Sequence, residues 1–101
     1  MRMIFEVQFP NEPFNSMVKA GTAGQKLQEI MGEVQPEAAY FTEQDGSRGA
    51  LLVLDVADAS RIPALSEPFF LAFDASVKVR ICMTAEDLGA AGLDELGQRY
   101  G

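Results

Sequence analysis

The dipeptide Asp45-Gly46 lies between two apolar runs, Ala38–Glu43 and Arg48–Val56. Asp-Gly is typical of a two-residue type I′ turn, because both central positions of that turn need a positive φ. The dipeptide therefore predicts a β-hairpin, and the loop length fixes which residues face each other. In that register an acid, Glu43, lies opposite a base, Arg48, which supports the pairing. The same register gives three further pairs: Phe41 with Ala50, Tyr40 with Leu51, and Ala39 with Leu52.

Two further segments alternate between apolar and polar residues. Met3–Phe9 alternates along its whole length and stops before Pro10. Val77–Met83 alternates in the same way. A period of two is typical of a half-buried strand, so each segment predicts one strand beside the hairpin.

Two segments have the residue spacing of amphipathic helices. The first has apolar residues at i, i+3, i+4 and i+7: Leu27, Ile30, Met31 and Val34. Thr22 and Gln25 precede it at the spacing of a capping box. The second runs up to Phe73 and contains Pro68. Since an interior proline removes a backbone donor, Pro68 predicts a kink, or a split of the helix at Ser66.

The order of these elements predicts the fold class. Strand, helix, strand, strand, helix, strand is the ferredoxin-like βαββαβ arrangement of the α+β class. It has a four-stranded antiparallel sheet with both helices on one face, and the first and third strands at its centre. A helical tail follows, starting at Thr84 and continuing over Leu93–Tyr100. With 101 residues, the chain is expected to form a single domain over residues 1–101.

The strand alternation also predicts the two faces of the sheet. The uniformly apolar positions should face the helices. The other face is mixed, and its residues are Ile4, Glu6, Gln8, Tyr40, Thr42, Leu51, Val53, Lys78, Arg80 and Cys82. Four of them, Ile4, Tyr40, Leu51 and Val53, would form an apolar patch that water disfavours. The simplest cover is the same face of a second copy, so we expect a homodimer through this mixed face.

Charge and residue counts narrow the possible functions. The formal charge of −7 and a pI near 4.4 argue against nucleic acid and against an anionic membrane surface as partners. One cysteine excludes an internal disulfide, and the lack of histidine removes the commonest general base and metal ligand. We therefore expect no metal and no cofactor. The longest apolar run, Ala50–Leu54, is too short to span a membrane, and no secretory signal is recognisable, which predicts a cytoplasmic protein.

The chain resembles the dimeric α+β-barrel superfamily, in which two ferredoxin-like sheets pack face to face. More narrowly, it is similar to a group of small bacterial proteins without an assigned activity. The shared segments are Pro36-Glu37-Ala38-Ala39-Tyr40-Phe41-Thr42, the Asp45-Gly46 turn, Ile62-Pro63-Ala64-Leu65-Ser66-Glu67-Pro68-Phe69-Phe70-Leu71-Ala72-Phe73 and Met83-Thr84-Ala85-Glu86-Asp87-Leu88. The resemblance implies a homodimer. The superfamily includes cofactor-free monooxygenases, isomerases of muconolactone type, haem-degrading enzymes and catalytically silent stress proteins. Members that bind haem or use a His-Asp pair need histidine, which this chain lacks.

Three polar residues of the mixed face are the candidate catalytic group. The first and fourth strands are adjacent in this fold, so Arg80 is expected to pair with Glu6, while Tyr40 supplies a phenol from the edge. An arginine beside a tyrosine can bind a carboxylate or stabilise an enolate. The alternative is a salt bridge that fixes the register of a dimer interface. Cys82 shares this face with Arg80 and Lys78, but a free cysteine in a strand is more often a small buried hydrophobe.

A second candidate site is an apolar pocket between helices and sheet. Its expected lining residues are Phe5, Phe69, Phe73, Met31 and Met83. The predicted kink at Pro68 favours a pocket, because a kinked helix packs imperfectly. The alternative is that these side chains form an ordinary close-packed core.

Two functions remain open from the sequence. The first is a homodimeric binding or assembly protein without a cofactor, with a small apolar or carboxylate ligand. The second is a cofactor-independent monooxygenase or isomerase acting on a small aromatic or carboxylate substrate, with Arg80 and Tyr40 as its polar groups. The first is favoured, because a chain without histidine has few acid–base groups that titrate near neutral pH.

Overall fold

A computed structural model describes residues 1–101 and contains four strands and five α-helices. In chain order they are β1 Arg2–Phe9, α1 Asn11–Ala20, α2 Ala23–Val34, β2 Ala38–Gln44, β3 Ser47–Asp55, α3 Ile62–Phe73, β4 Ser76–Ile81, α4 Ala85–Gly89 and α5 Leu93–Tyr100. A 3₁₀ turn, Ala59–Arg61, leads into α3. None of the helices is both long enough and apolar enough to cross a membrane.

The hairpin of β2 and β3 turns at Asp45-Gly46, as its sequence predicts. Both residues have a positive φ, 51° at Asp45 and 81° at Gly46. The predicted register is confirmed, with Glu43 opposite Arg48 and with the three further pairs in place: Phe41 with Ala50, Tyr40 with Leu51, and Ala39 with Leu52. Since a slip of one residue would turn every side chain to the other face, this turn decides which face of the hairpin is apolar.

The four strands form one antiparallel sheet in the order β2-β3-β1-β4. Helices α1, α2 and α3 pack on one face, which makes the fold ferredoxin-like. The central strand β1 shows the difference between the faces. Its four helix-facing residues, Met3, Phe5, Val7 and Phe9, are buried, while the residues between them are partly exposed.

The core lies between the sheet and these three helices, and phenylalanines form its centre. The ring of Phe9 is 5.3 Å from that of Phe14 and 5.2 Å from that of Phe73, both edge-to-face. Phe14 stacks on Phe73 at 5.1 Å. Such ring pairs stabilise a core beyond the area they bury. No buried side-chain nitrogen or oxygen lacks a hydrogen-bond partner.

The start of α2 differs from the predicted capping box. Gly21 ends α1 in the left-handed conformation, with φ 77°, and Thr22 follows at φ −110° and ψ −11°. An N-cap side chain reaches the first turn from an extended backbone, which Thr22 does not have. Its hydroxyl instead donates to the Met17 carbonyl at 3.3 Å. The predicted cap with Gln25 was therefore wrong, and Thr22 ties α2 back to α1.

The split predicted at Ser66 does not occur, because α3 is one helix from Ile62 to Phe73 with Pro68 inside it. An interior proline costs about 3 kcal/mol through its missing donor and its ring. Phe69 and Phe73, beyond the proline, are fully buried. Burying one such side chain contributes about 1.5–3 kcal/mol, so the two together offset the cost of the proline.

The chain after the sheet leaves the body of the protein. Strand β4 ends at Ile81 rather than at the predicted Met83, because β1, its only partner, begins at Arg2. The predicted cap at Thr84 is confirmed as a capping box with Asp87. We call Ala85–Tyr100 the C-terminal arm, and none of its residues is buried. The arm accounts for a radius of gyration of 17.1 Å, against about 13 Å for a compact domain of this size.

Candidate functional site

The face of the sheet opposite the helices, which we call the open sheet face, holds the candidate catalytic residues. Strand register arranges them in rows. One row consists of Tyr40, Leu51, Glu6 and Lys78, in the order of the strands. The next row consists of Ala38, Val53, Ile4 and Arg80. The apolar side chains Leu51, Val53 and Ile4 therefore lie together on the central strands β3 and β1, with the charged side chains of Glu6, Lys78 and Arg80 beside them on β1 and β4.

The predicted pair of Arg80 with Glu6 is present. The Arg80 guanidinium donates a hydrogen bond to the Glu6 carboxylate across β4 and β1. Exposure of the two side chains is unequal, 61% for Arg80 and 21% for Glu6. In a single chain such an exposed pair contributes only about 0–1 kcal/mol to stability. Lys78 lies directly opposite Glu6 but takes part in none of the four ion pairs.

Tyr40 does not join Arg80 and Glu6. It lies on the edge strand β2, and the strands β3 and β1 separate it from β4. Two strand spacings, roughly 9.5 Å, separate its backbone from that of Glu6. The Tyr40 side chain is 66% exposed. The predicted group of three is thus an ion pair with a distant phenol, because β2 and β4 are opposite edges of the sheet.

Cys82 lies just beyond β4 and beside Arg2, whose carbonyl accepts its backbone N–H at 3.0 Å. The thiol is half-buried and unpaired. Arg2 itself forms a bidentate pair with Glu37, with Nε to Oε2 at 2.8 Å and Nη2 to Oε1 at 3.0 Å. This guanidinium lowers the pKa of the Glu37 carboxyl below its usual value. The Cys82 end of the open sheet face is therefore bordered by a second ion pair.

The residues predicted to line an apolar pocket do not surround one. Phe5, Phe69 and Phe73 are fully buried in the core. Met31 is half-buried at the margin of the core, and Met83 is 67% exposed after the end of β4. None of the five lines any of the four cavities of the structure. The three phenylalanines thus fit the alternative of an ordinary core.

The largest cavity lies between the helices and the hairpin, and we call it the helix–hairpin cleft. Its volume is about 650 Å³, and its lining residues are Phe9, Phe14, Leu27, Phe41, Thr42, Glu43, Gly46, Ser47, Arg48 and Gly49. Phe41 points to the helix side of the sheet yet is 56% exposed, because the helices leave this end of the edge strand β2 uncovered. The cleft therefore has an aromatic wall and an open side.

Arg48 provides the positive charge of this cleft. Its guanidinium carbon lies 4.4 Å from the centre of the Phe14 ring, a cation–π contact. Glu43 is opposite Arg48 in register, but its carboxylate instead accepts the backbone N–H of Gly46 at 2.9 Å. Arg48 takes part in none of the ion pairs of the chain. The side chain is exposed and makes no hydrogen bond within the chain, and its charge helps to lower the pKa of the nearby Glu12 carboxyl. A guanidinium without an ion-pair partner is suited to an anionic ligand.

The other cavities are more polar or more remote. A groove of about 500 Å³ between α2 and α3 is lined by Lys26, Glu29, Ile30, Glu33, Ala64, Glu67, Pro68, Leu71 and Ala72. A small one lies at the start of α2, and another lies within the C-terminal arm. No group of three or more histidine, cysteine, aspartate or glutamate side chains is placed to bind a metal. The helix–hairpin cleft is thus the cavity with both an aromatic lining and an unpaired cation.

One known structure with the same fold is that of a dehydrochlorinase, and a second structure has a weaker likeness. The 5-chloro-2-hydroxyhydroquinone dehydrochlorinase of Burkholderia phenoliruptrix AC1100, in complex with 2,5-dihydroxybenzoquinone, is similar over 85% of this chain and 97% of that chain, with a TM-score of 0.56 and 13% identity. The de novo designed protein Ferredog-Diesel is similar over 80% of this chain and 85% of its own, with a TM-score of 0.45 and 15% identity. The sequence matches no protein-family model and no curated protein. At 13% identity, the likeness to the dehydrochlorinase shows a shared fold alone.

The sequence-based interpretation missed the cleft. In the sequence, Arg48 is explained as the partner of Glu43, and Phe41 alternates with Tyr40 and Thr42 of the mixed face, which predicts the helix-covered face for it. One signal was present in the sequence: Phe41 lies four positions before the Asp45-Gly46 turn, and a residue so close to a turn on an edge strand lies near the end of the sheet. Whether the helices reach that end depends on their tertiary positions, which the hairpin pattern does not contain.

Proposed function

We propose that this protein is a homodimeric small-molecule-binding protein, whose ligand is a small aromatic carboxylate held in the helix–hairpin cleft. One observation carries the proposal: the Arg48 guanidinium lies over the Phe14 ring at an aromatic cleft, and no carboxylate of the chain pairs with it. An arginine fork binds a carboxylate with two parallel hydrogen bonds. The carboxylate of a ligand at this position would form the ion pair with Arg48 that no carboxylate of the chain forms.

The shape of the cleft supports an aromatic ring as the body of the ligand. Its volume of about 650 Å³ falls within the usual range of about 300–1,000 Å³ for small-molecule sites. Phe41 and Leu27 supply apolar walls, and Phe9 and Phe14 connect them to the rigid aromatic core. A flat ring placed there would cover the exposed surface of Phe41 while its carboxylate reached Arg48.

The open sheet face supports the homodimer. Ile4, Leu51 and Val53 form its apolar centre, and the ion pairs of Arg80 with Glu6 and of Arg2 with Glu37 lie at its margin. An apolar centre with a polar rim is the usual composition of a protein–protein interface. A two-fold axis would bury the same patch on both copies, because a dimer of identical chains buries one self-complementary surface.

A cofactor-independent enzyme acting on a small aromatic or carboxylate substrate is the second candidate. The Arg80–Glu6 pair favours it, since a guanidinium can stabilise a developing enolate. A protein with the same fold, the Burkholderia dehydrochlorinase, has a dihydroxybenzoquinone in its complex. The distance of Tyr40 from this pair leaves the enzyme without its proposed proton donor in a single chain. Binding without chemistry therefore has the stronger support.

The test of ligand binding uses matched acids and neutral analogues. Benzoate, 2-hydroxybenzoate and phenylacetate are titrated by NMR against the 15N-labelled protein, with benzamide as the uncharged control. We expect amide shifts confined to Phe14, Phe41 and Arg48 for the acids. Arg48→Gln should weaken the acids by about 10–100-fold, the value of a charged hydrogen bond, and leave benzamide unchanged.

Arg61→Gln is the matched control, because Arg61 is an exposed arginine outside the ion pairs and away from the cleft. It should bind the acids like the wild type. Equal affinity of the wild type and Arg48→Gln for every acid would contradict the proposal. Conversion of any of these compounds, followed by NMR over hours, would favour the enzyme.

A further inference from the structure

The C-terminal arm has an apolar stripe that its own chain does not cover. Leu93, Leu96 and Tyr100 recur at i, i+3 and i+7 of α5, and Leu88 adds to them from α4. Their exposed fractions run from 40% at Leu96 to 78% at Tyr100. Glu95 and Gln98 lie on the opposite side of α5. The arm is thus amphipathic, and its apolar stripe packs against no other part of the chain.

Helices this short need such a partner. Isolated helices under about 12–15 residues are marginal in water, because one turn must be ordered before any hydrogen bond forms. The two helices of the arm have five and eight residues. The capping box of Thr84 with Asp87 and the bond from the Cys82 N–H to the Arg2 carbonyl fix the direction of the arm at its root. None of the residues of the arm is buried against its own body, so its apolar stripe is free to contact another molecule.

A complementary bare surface lies beside the root of the arm. Val79 and Ile81 of β4 face the helix side of the sheet, opposite Phe5 and Met3 of β1, yet both are exposed. Met83, just after the strand, is exposed as well. We call these three residues the β4 edge patch. The patch is apolar and α3 leaves it uncovered, so each chain has both an uncovered apolar patch at β4 and an unpartnered arm.

Charge favours the pairing of these two surfaces. Glu86, Asp87, Asp94 and Glu95 give the arm four carboxylates against one arginine, Arg99. Lys78 precedes Val79 on β4, but its side chain is on the open sheet face, around the edge of the sheet from the patch. It is exposed and takes part in no ion pair. An acidic arm laid along β4 of another copy would place carboxylates near this free ammonium group. Opposite charge of this kind fixes orientation more than it adds affinity.

We propose that the C-terminal arm docks on the β4 edge patch of a second copy, and that the second copy docks its own arm in return. Because arm and patch belong to the same chain, a two-fold axis satisfies both surfaces at once. Strand β4 also contributes Lys78 and Arg80 to the open sheet face, so the arm extends that interface around the edge of the sheet. This arm exchange rests on the homodimer proposed above. It adds to that dimer a second contact, in which the arm of each copy covers the β4 edge of the other.

The test compares two variants of α5 with equal changes of charge. Leu93→Asp with Leu96→Asp places two carboxylates in the apolar stripe. Gln98→Asp with Arg99→Gln changes the charge by the same amount outside the stripe. Dimer dissociation constants come from sedimentation equilibrium of the full chain. We expect the stripe variant to raise Kd by at least about 10-fold, and the control to change it by less than about 3-fold. Met83→Asp, in the patch, should act like the stripe variant.

Hydrogen exchange, together with the dissociation constants, distinguishes failure of the arm exchange from failure of the homodimer. In the wild type, the backbone amides of α5 should be protected at protein concentrations well above the dimer Kd. They should exchange freely at concentrations well below it. A dimer whose Kd is unchanged by the stripe variant, with α5 unprotected, overturns the arm exchange and leaves the homodimer intact. A wild type that stays monomeric at every concentration overturns the homodimer, and the exchange with it. A stripe variant that weakens the dimer while Met83→Asp does not would overturn the patch as the docking surface.

Discussion

Arg80 reaches along β4 to donate a hydrogen bond to the carboxylate of Glu6, although Lys78 is the residue directly opposite Glu6. The diagonal contact uses the longer, planar guanidinium and leaves the ammonium group of Lys78 free. It also turns the charge of Arg80 toward the apolar centre of the open sheet face. The pair therefore has more effect on what packs against this face than on the stability of one chain.

Removal of the Arg80 guanidinium tests whether the ion pair contributes more to the dimer than to the stability of the single chain. Arg80→Ala should lower the free energy of unfolding of the monomer by less than about 1 kcal/mol, since the pair is exposed there. The same change should weaken the dimer by more than about 10-fold, because the interface would bury Glu6 without its partner. Urea unfolding at low concentration measures the first, and sedimentation equilibrium the second. Lys78→Ala is the control for unfolding, since it removes a charge that makes no ion pair. An Arg80→Ala protein that loses clearly more than about 1 kcal/mol as a monomer, or whose dimer is not weakened, would contradict this prediction.

A charge in the centre of the open sheet face should produce a monomer. Leu51→Asp places a carboxylate in the middle of the face, where a dimer would bury it, while the side chain of Leu51 makes no part of the core. The fold should remain, as judged by circular dichroism, and light scattering should report the mass of one chain. Leu71→Asp makes the same change on the solvent side of α3, where Leu71 is 82% exposed. Both variants should fold, and a Leu51→Asp protein that stays dimeric would exclude this face as the interface.

The phenylalanine cluster should dominate the stability of the body. Phe73 is fully buried and contacts the rings of Phe9 and Phe14. Phe73→Ala should lower the free energy of unfolding by about 3–5 kcal/mol, since it removes a large side chain and leaves a cavity. Phe70→Ala, on the same helix but partly exposed, should cost clearly less. Equal midpoints of the two variants in urea would contradict the central role of the cluster.

Four carboxyl groups predict how stability changes in acid. The pKa of Glu37 is lowered by hydrogen bonds from Arg2, that of Glu12 and that of Asp58 by hydrogen bonds from nearby serines, and that of Asp87 by the Thr84 cap. A carboxyl group whose pKa is lower in the folded than in the unfolded chain stabilises the fold at a pH above its unfolded pKa. This stabilisation is lost as the pH falls through the folded pKa. The melting temperature should therefore hold above about pH 5 and fall below about pH 4.

Arg2→Gln isolates one of these contributions. It should lower the melting temperature near neutral pH, and the difference from the wild type should shrink in acid, because Glu37 is then protonated in both proteins. Arg99→Gln is the control for loss of a surface charge, because Arg99 is exposed, donates a hydrogen bond to none of the four carboxyls and is not among the groups that lower their pKa values. A difference between Arg2→Gln and the wild type that stays constant from neutral pH to acid would argue against the Glu37 pair.

The parts of the fold set by neighbours in sequence were predictable. The Asp45-Gly46 turn determined the register of β2 and β3, and alternation in β1 and β4 placed the helix-facing side chains. The adjacency of β1 and β4 followed from the element order, and with it the pair of Arg80 and Glu6. These features depend on local backbone preferences and on which face is apolar, both of which a single sequence contains.

The parts set by packing across the molecule were not predictable. Pro68 breaks a helix by local preference, but the burial of Phe69 and Phe73 keeps α3 in one piece. Tyr40 was grouped with Arg80 because they share a face, whereas their separation depends on the width of the sheet. The helix–hairpin cleft exists because the helices stop short of Phe41, a matter of tertiary position. The candidate site was thus half predictable: the ion pair was, and the cavity was not.

The position of β1 in the centre of the sheet has a consequence for synthesis on the ribosome. Arg2 pairs with Asp55 and Met3 with Ile81, so β1 precedes both of its partners in the chain. In the nascent chain, β1 has no partner strand until β3 and finally β4 have emerged from the ribosome. Such long-range closure slows folding and exposes an apolar strand to other chains meanwhile. A ribosome-bound intermediate that lacks β4 therefore leaves one edge of β1 without hydrogen-bond partners, open to pairing with another chain.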